Sequence, residues 1–524
     1  MNRDEQLEKL KSINEFDIVV IGGGASGLGT ALDAASRGFQ VALFESLDFA
    51  KGTSSRSTKL VHGGVRYLAQ GNFGLVTEAL KERGLLEKNA NHLVKNQRFI
   101  IPNYTWWGGY YYTIGLKIYD FLSKKLSFGK SRLLSKKSAL TSIPTLSSKG
   151  LRSGVSYQDG QFDDARLAVN LAKTAIEQGG VVINYMKVTN LIKDEGEKLI
   201  GVEVVDQETM EVHEVKSKVV INATGVFANK ILKIDGRKKK GLKVVPSQGI
   251  HLVFDKKFLQ SKDAVMIPKT SDGRVLFAIP WHNKVVMGTT DTPMMKPKYE
   301  PTPLDEEIDF ILETANTYLS SAPKRQDVLS VYAGLRPLVA PEGDKKNTKE
   351  ISRGHRILVS DSGLISIVGG KWTTYRHMAE EIVDKAITIH SLSQRASVTE
   401  ELKIHGSFDD ASGVIENQDR YYYGSDEAAI IDLEKDRPEW RTKIHNAYHF
   451  TKAEVVWNIR YEMARTIEDI LARRCRLLFL DARAAIEAAP VVATLLSEEL
   501  DKDEAWRQKE LESFVDLASS YFIN

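Results

Sequence analysis

The segment from residue 16 to residue 68 constrains the fold of this chain more than any other. Residues 17–21 form an apolar run with the length and β-branched content of a strand buried on both faces of a parallel sheet. Gly22, Gly24 and Gly27 follow at the three positions of a G-x-G-x-x-G pattern. At such positions the backbone turns tightly and a pyrophosphate approaches the N-terminus of a helix. The segment therefore predicts a site for a dinucleotide.

The next two elements complete this dinucleotide-binding unit. Residues 27–36 place their apolar side chains on one stripe of a helix, and Gly38 follows as its C-cap. Residues 40–44 are a second apolar strand, and Glu45 ends it at a spacing that suits a carboxylate accepting from both hydroxyls of an adenosine ribose. Glycine turns of this composition occur by chance, but the order of strand, turn, helix, strand and acid is specific.

Composition excludes several classes of protein. The 524 residues allow two or three domains, and a formal net charge of +3 argues against a general nucleic-acid binder. The single cysteine, Cys475, excludes a disulfide framework or a cysteine-rich metal site and fits a reducing compartment, and no metal is expected. Residues 1–15 are charged and lack a secretory signal, and no apolar run reaches the ~18 residues of a membrane-spanning helix.

Residues 104–132 concentrate aromatic and basic side chains. Five apolar or aromatic side chains, spaced three or four residues apart, would form one stripe on a helix: Trp107, Tyr111, Ile114, Ile118 and Phe121. The bases around it are Lys117, Lys124, Lys125, Lys130 and Arg132. Such a helix fits a membrane interface, where aromatic rings lie at headgroup depth and bases meet anionic lipid. A helix that packs the stripe on the protein's own core fits equally well, and both alternatives stay open.

The rest of the chain predicts further elements. Residues 75–94 read as a helix interrupted near Gly84, and residues 181–222 as a three-stranded meander that returns to the first sheet. Short strands over residues 244–292 predict an antiparallel sheet. Residues 461–474 are dense in charge pairs at helical spacing over an apolar stripe, so we expect a helix within a separate helical domain.

The residues directly after Glu45 carry the most specific motif, TSSRSTKLVHGGVRYL at residues 53–68. Here the chain resembles the FAD-dependent glycerol-3-phosphate dehydrogenases, whose sequences contain a nearly identical segment. Other segments resemble this family in the same order: GGGASGLGTALDAASRG, DDARL, INATG, GLRPL, GGKWTTYR and YEMARTIEDILARRCRLLFLDARAA. The resemblance covers essentially the whole chain. Without it, residues 53–59 would read as a polar turn that caps the next helix.

The resemblance implies an α/β fold in three parts. A Rossmann-like FAD-binding domain would comprise residues 1–80, 151–245 and 351–395. A substrate-binding cap domain with an antiparallel sheet would comprise residues 81–150 and 246–350. An all-helical C-terminal domain would comprise residues 401–524.

The resemblance also implies a reaction. Sn-glycerol 3-phosphate would be oxidised at C2 to dihydroxyacetone phosphate, with a hydride passing to FAD N5 and electrons then passing to membrane ubiquinone or menaquinone. We therefore expect a cytoplasmic enzyme held peripherally at the inner face of the cell membrane, with no nucleic-acid partner. A homodimer is compatible with this reading.

Candidate site residues follow from the chemistry of that substrate. A phosphate dianion favours guanidinium or ammonium, so Arg66, Arg336 and Lys371 are candidate phosphate or oxyanion partners. The proton acceptor would be His62 or His251, and the sequence leaves that choice open. Motif matching adds Arg353 and Thr374 near the substrate. The residues that the resemblance assigns to FAD are Gly22, Gly24, Gly27, Glu45, Thr53, Ser54, Ser55, Lys59, Leu60, His62 and Gly370.

Three alternatives remain beside the dehydrogenase. A related oxidase group passes electrons to oxygen and releases hydrogen peroxide, but it commonly carries an inserted segment that residues 322–336 leave no room for. A flavoenzyme for an amine or another hydroxy acid would not need the cluster of Arg66, Arg336 and Lys371. A non-catalytic FAD-binding membrane scaffold would not need the two histidines.

Overall fold

The computed structural model describes residues 1–65, 68, 71–123, 126–236, 242–270, 273–341, 354–409 and 419–523. The strands are β1 (Phe16–Ile21), β2 (Val41–Phe44), β3 (Leu60–Val61), β4 (Val94–Asn103), β5 (Arg132–Ser135), β6 (Ser153–Phe162), β7 (Val181–Ile183), β8 (Met186–Lys193), β9 (Leu199–Asp206), β10 (Val212–Asn222), β11 (Leu242–Asp255), β12 (Ala264–Ile267), β13 (Leu276–Trp281), β14 (Lys284–Gly288), β15 (Thr292–Pro293), β16 (Val328–Pro341), β17 (Arg356–Val359) and β18 (Ile365–Val368).

The α-helices are α1 (Arg3–Ser12), α2 (Ala25–Ser36), α3 (Phe73–Asn89), α4 (Gly108–Ser123), α5 (Lys136–Ser142), α6 (Asp164–Glu177), α7 (Ala228–Ile234), α8 (Asp305–Tyr318), α9 (Tyr375–Ile389), α10 (Glu427–Asp436), α11 (Lys452–Tyr461), α12 (Leu477–Leu480), α13 (Ala482–Glu499) and α14 (Glu504–Ser519).

The first sheet is the one that the opening segment predicts. Its strand order is β17-β18-β10-β1-β2-β7, with β1 parallel to both β2 and β10. The predicted meander is present, because β9 pairs antiparallel with β8 and with β10. Since β1, β2 and β10 are parallel, their carboxyl ends meet at one edge. The glycine turn, Glu45 and Ala223 therefore lie together.

The second sheet is largely antiparallel. It includes β3, which directly follows the hydroxyl-rich segment at residues 53–59. Its order is β15-β11-β14-β13-β12-β4-β6-β3, and β16 pairs antiparallel with β11 over most of its length. Strand β3 pairs with β6 and ends immediately before His62. The α/β class, with an antiparallel-sheet unit and C-terminal helices, is confirmed.

The C-terminal helices share one hydrophobic core with the first sheet. Ile18 of β1, Leu28 of α2, Val455 of α11 and Leu496 of α13 all belong to the same cluster of fully or almost fully buried side chains. The predicted domain boundaries stay a prediction, but the helical region packs directly on the dinucleotide unit.

Two local predictions are wrong. Helix α3 runs through Gly84 without interruption. A side chain at residue 84 would collide with Leu126, so this glycine allows close packing and does not break the helix. Residues 461–474 do not form one helix: α11 ends at Tyr461, and a π-helical turn follows at Asp469–Arg474. The side chains of Asp469, Arg473 and Arg474 in that turn are buried.

Candidate active site

A cavity of about 600 Å³ lies between the two sheets. The predicted residues that line it are Gly22, Gly24, Glu45, Thr53, Ser54, Leu60, His62, His251, Arg336, Gly370 and Lys371. The glycine turn lies in the first sheet, while His251 and Arg336 lie on β11 and β16 of the second. The two sheets therefore bring together groups that are far apart in sequence.

The glycine turn has the close packing that its pattern predicts. A Cβ atom at Gly27 would lie 1.8 Å from the carbonyl oxygen of Gly22, so α2 approaches β1 only because residue 27 has no side chain. The Glu45 carboxylate accepts from the backbone N–H of Gly23 at 2.6 Å and of Leu47 at 2.9 Å. Burial raises the pKa of Glu45, and these hydrogen bonds oppose that rise.

The hydroxyl-rich segment contributes unequally to the cavity. The Ser54 hydroxyl accepts from the backbone N–H of Ala25 at 2.9 Å, which joins this segment to the start of α2. Lys59 is fully buried and donates to Asp164 at 2.7 Å and to the Ser55 carbonyl at 2.8 Å. Burial lowers the pKa of Lys59 to about 8. Ser55 and Lys59 lie outside the lining of the cavity, and their assignment to FAD stays a prediction.

His251 is held tightly in the wall of the cavity. Its Nε2 lies 3.0 Å from the Thr58 hydroxyl, and its ring stacks on Tyr332 with 4.9 Å between centroids. Burial, together with the charges of Lys59 and Arg336, lowers the pKa of His251 well below its usual range. The imidazole is therefore neutral near pH 7.

His62 lies at the far end of β3, half-buried, and lines the cavity. Its backbone N–H donates to the Thr373 hydroxyl at 3.1 Å. Sequence matching selected the neighbouring Thr374, but that hydroxyl points to the Lys371 carbonyl at 3.5 Å and lies outside the cavity lining. Thr373 lines the cavity and Thr374 does not, so the assignment of Thr374 to the substrate stays a prediction; the GGKWTTYR motif contains both residues.

Arg336 is a fixed cation. Its guanidinium donates to the carbonyls of Gln248 at 3.2 Å and Thr290 at 2.9 Å, and to the Thr289 hydroxyl at 3.0 Å. The Asp291 carboxylate lies 3.7 Å away. Arg66 and Arg353, which the sequence placed beside Arg336, lie outside the described residues.

Comparison with known proteins gives a consistent result. Residues 17–376 match the family model described as FAD dependent oxidoreductase, and residues 365–507 match the C-terminal domain of alpha-glycerophosphate oxidase. The mitochondrial glycerol-3-phosphate dehydrogenase of Schizosaccharomyces pombe is 37% identical over 97% of this chain and 88% of its own length. The mouse enzyme of that name is 39% identical over 98% of this chain and 74% of its own length.

A solved structure agrees with these relatives. Glycerol-3-phosphate dehydrogenase from Bacillus halodurans, complexed with FAD, has a TM-score of 0.80 and 30% identity, and the match covers 99% of this chain and 97% of that chain. The chain belongs to the FAD-dependent glycerol-3-phosphate dehydrogenase family. FAD is its cofactor.

The residues of this member of the FAD-dependent glycerol-3-phosphate dehydrogenase family fit FAD. A Cβ atom at Gly24 would meet only the Ser54 hydroxyl within 4 Å, so the turn is open toward the cavity for a pyrophosphate. Glu45 lies beside it for a ribose. Gly370 and Lys371, which also line the cavity, precede the 3-10 turn Trp372–Thr374, which leads into α9. That helix start supplies partial positive charge next to the cavity.

Sequence reasoning for this family missed one wall of the cavity. Arg56 donates to both carboxylate oxygens of Glu300 at 2.7 Å, and Lys51 lies 3.0 Å from the same carboxylate. Phe227 stacks on Tyr299 with 4.2 Å between ring centroids. No local motif marks these residues, because each pair joins positions that lie more than 70 residues apart in the chain.

Helix α4 presents its predicted apolar stripe to solvent. The exposed fractions are 52% for Trp107, 65% for Ile114 and 81% for Phe121. This exposure rules out the alternative that the stripe packs on the protein's own core. Among the described residues, no helix is long and apolar enough to cross a membrane.

Proposed function

We propose that this protein oxidises sn-glycerol 3-phosphate at C2 to dihydroxyacetone phosphate with FAD, and that it passes the electrons to a quinone at a lipid surface. The observation that carries the proposal is the set of residues that line one cavity. A glycine turn for the cofactor lies at one end, and Arg336, Lys371, His62 and His251 line the rest. The printed names of the relatives support the same substrate.

Arg336 and Lys371 would bind the phosphate. The guanidinium of Arg336 is already oriented by two carbonyls and a hydroxyl, so it need not reorganise when a dianion arrives. An ammonium at Lys371, beside the start of α9, adds to the positive field. A cationic amine would gain nothing from these two charges, and a monoanionic hydroxy acid would gain less from them than a phosphate dianion does.

A histidine would take the proton of the C2 hydroxyl, while bound FAD supplies the two-electron acceptor. His251 is one candidate, because it lines the cavity and burial lowers its pKa, so the imidazole is neutral near pH 7. Its Nε2 lies 3.0 Å from the Thr58 hydroxyl, and its Nδ1 is buried. His62 lines the same cavity and is the second candidate. The choice between His62 and His251 remains a prediction.

The exposed face of α4 would bring the enzyme to its acceptor. Quinones lie in the lipid phase, and α4 presents Trp106 and Phe121 at 77% and 81% exposure. The nearby Lys117, Lys130 and Arg132 are exposed, which suits anionic lipid. The acid on this helix, Asp120, is engaged by the Ser131 backbone N–H and hydroxyl. The proposal thus includes peripheral attachment at the cytoplasmic face of the cell membrane.

An anaerobic titration tests the reaction. Purified FAD-loaded protein should lose its visible flavin absorbance when sn-glycerol 3-phosphate is added. A soluble quinone should restore the colour faster than oxygen does. Faster recovery in oxygen, with one hydrogen peroxide per substrate, would instead identify the oxidase. A flavin that stays oxidised would contradict the assignment of Arg336 and Lys371 to phosphate.

A further inference from the structure

Helix α4 has one buried tyrosine that reaches the active-site segment. Tyr119 is only 1% exposed, and its hydroxyl accepts from the backbone N–H of Gly63 at 2.7 Å. The same hydroxyl donates to the Asp159 carboxylate at 2.9 Å. Asp159 is held in turn by a buried ion pair with Arg83 at 2.8 Å. A fixed network therefore ends on the residue that directly follows His62.

The backbone at His62 and Gly63 is held from two sides. The N–H of His62 donates to the Thr373 hydroxyl at 3.1 Å, and the N–H of Gly63 donates to Tyr119. A Cβ atom at Gly63 would lie 2.5 Å from Leu80 and 2.6 Å from the Tyr119 hydroxyl. The backbone turn at His62 and Gly63 therefore packs closely between α3 and α4, and it has no room to move toward either helix.

We propose that Tyr119 is a positioning residue for the substrate site, an inference that rests on the function proposed above. Tyr119 is not among the residues that line the cavity. It acts by fixing Gly63, and through Gly63 the adjacent His62, at the distance that the reaction requires. The Tyr119 hydroxyl is well suited to this role, because a buried hydroxyl can accept from Gly63 while it donates to Asp159.

Loss of this hydroxyl should disturb the reaction more than the fold. Tyr119→Phe keeps the ring in its apolar surroundings but leaves the Gly63 N–H buried without an acceptor. That N–H would turn toward another acceptor or water and carry His62 with it. Small displacements of reacting groups cost large factors in rate.

The matched control is Tyr157→Phe. Tyr157 is also a fully buried phenol in the same hydrophobic cluster as Tyr119, but its hydroxyl contacts Met266 and not the active-site segment. Both variants remove one buried hydroxyl from one core. A general loss of packing would affect both equally, whereas a positioning role affects Tyr119 alone.

The experiment compares the two variants with wild type as FAD-loaded enzymes. Rates are normalised to bound FAD, with sn-glycerol 3-phosphate and a soluble quinone as substrates. We expect Tyr119→Phe to lower kcat/KM about tenfold, mostly in kcat, with FAD content unchanged. Tyr157→Phe should stay within about twofold of wild type. Equal kinetics for Tyr119→Phe and wild type, or an equal loss in both variants, would overturn the proposal.

Hydrogen exchange gives a readout that does not depend on turnover. The peptide containing Gly63 should exchange about tenfold faster in Tyr119→Phe and at the wild-type rate in Tyr157→Phe. Unchanged exchange at Gly63 would also overturn the positioning role. If wild-type flavin is not reduced by sn-glycerol 3-phosphate, the proposed reaction fails while this exchange result still decides whether Tyr119 holds the turn.

Discussion

Arg336 carries a positive charge into the cavity on a strand whose neighbouring side chains are mostly apolar. Its guanidinium is bound by Gln248, Thr289 and Thr290, and the carboxylate of Asp291 is 3.7 Å away. These contacts hold the guanidinium in one orientation beside the cavity that it lines. A phosphate dianion bound there would gain a charge-assisted contact, which makes Arg336 a sensitive point for testing the substrate.

We expect Arg336→Ala to raise the KM for sn-glycerol 3-phosphate about 100-fold, because loss of one charge-assisted contact to a dianion costs on the order of 2–3 kcal/mol. The FAD content should stay at one per chain, since the glycine turn is on the other sheet. Steady-state kinetics and the flavin spectrum measure both. Arg325→Ala, which removes an exposed guanidinium paired with Asp305 and Asp309, is the control and should leave the KM unchanged.

At the scale of single residues, the sequence predicts those whose role depends on the local backbone. Gly27 packs as its motif requires, and Glu45 lies where the strand length places it. Lys59 and Thr374 belong to segments that border the cavity, but their side chains bond to other parts of the protein, Lys59 to Asp164 and Thr374 to the Lys371 carbonyl. Their direction depends on partners such as Asp164 for Lys59, which are brought near only by folding.

Among the elements, α4 is the one whose two sides serve different purposes. Tyr119 faces the active-site turn, and the aromatic stripe faces solvent. Periodicity placed the stripe on one face but left its environment undecided, because a core face and a lipid face have the same spacing. The packing of neighbouring elements decides between them, and that packing is a property of the fold.

Replacing both Trp106 and Trp107 by Ser should release the protein from lipid. Each substitution removes the large apolar area of one indole ring from the exposed face. We therefore expect at least tenfold weaker binding to vesicles that contain anionic lipid. Vesicle co-sedimentation at low and high salt is the measurement. Met295→Ser removes a side chain that is 97% exposed elsewhere on the surface and serves as the control. Equal binding of the double variant and wild type would contradict the role of α4 in docking.

The residues after α11 show a second limit of reading elements from sequence. Charge pairs at helical spacing predict one helix over residues 461–474, yet α11 ends at Tyr461, and Asp469, Arg473 and Arg474 are buried. Arg473 and Arg474 donate to Asp48 at 2.6 and 2.8 Å. Buried ion pairs and exposed ones leave the same pattern in a sequence, and only the partner Asp48, far away in the chain, distinguishes them.

At the scale of the whole molecule, apolar packing joins the C-terminal helices to the first sheet, and the ion pairs of Asp48 with Arg473 and Arg474 add to it. Within the C-terminal region, Glu510 of α14 accepts from the backbone N–H of Ile467 at 2.9 Å. Burial, together with the nearby charges of Asp469 and Glu468, raises the pKa of Glu510 to about 7. An unfolded chain would release that proton near pH 4.

Glu510→Gln should therefore stabilise the protein above neutral pH. Between about pH 4 and pH 7 the folded state holds a proton that the unfolded state has lost, so this residue makes wild-type stability fall as pH rises through that window. Gln keeps the acceptor for Ile467 and removes the ionisation. We expect a gain of about 1–3 kcal/mol at pH 8 that vanishes below about pH 5. Thermal melts across this range test it, and a gain that is the same at every pH would contradict the assignment.

The position of Asp48 bears on how the protein is made. This buried carboxylate lies shortly after β2 and Glu45, but its countercharges on Arg473 and Arg474 are synthesised more than 400 residues later. A truncated chain that lacks them would leave the charge of Asp48 uncompensated. We therefore expect the segment around Glu45 and Asp48 to reach its folded form only after residues 473 and 474 have been synthesised.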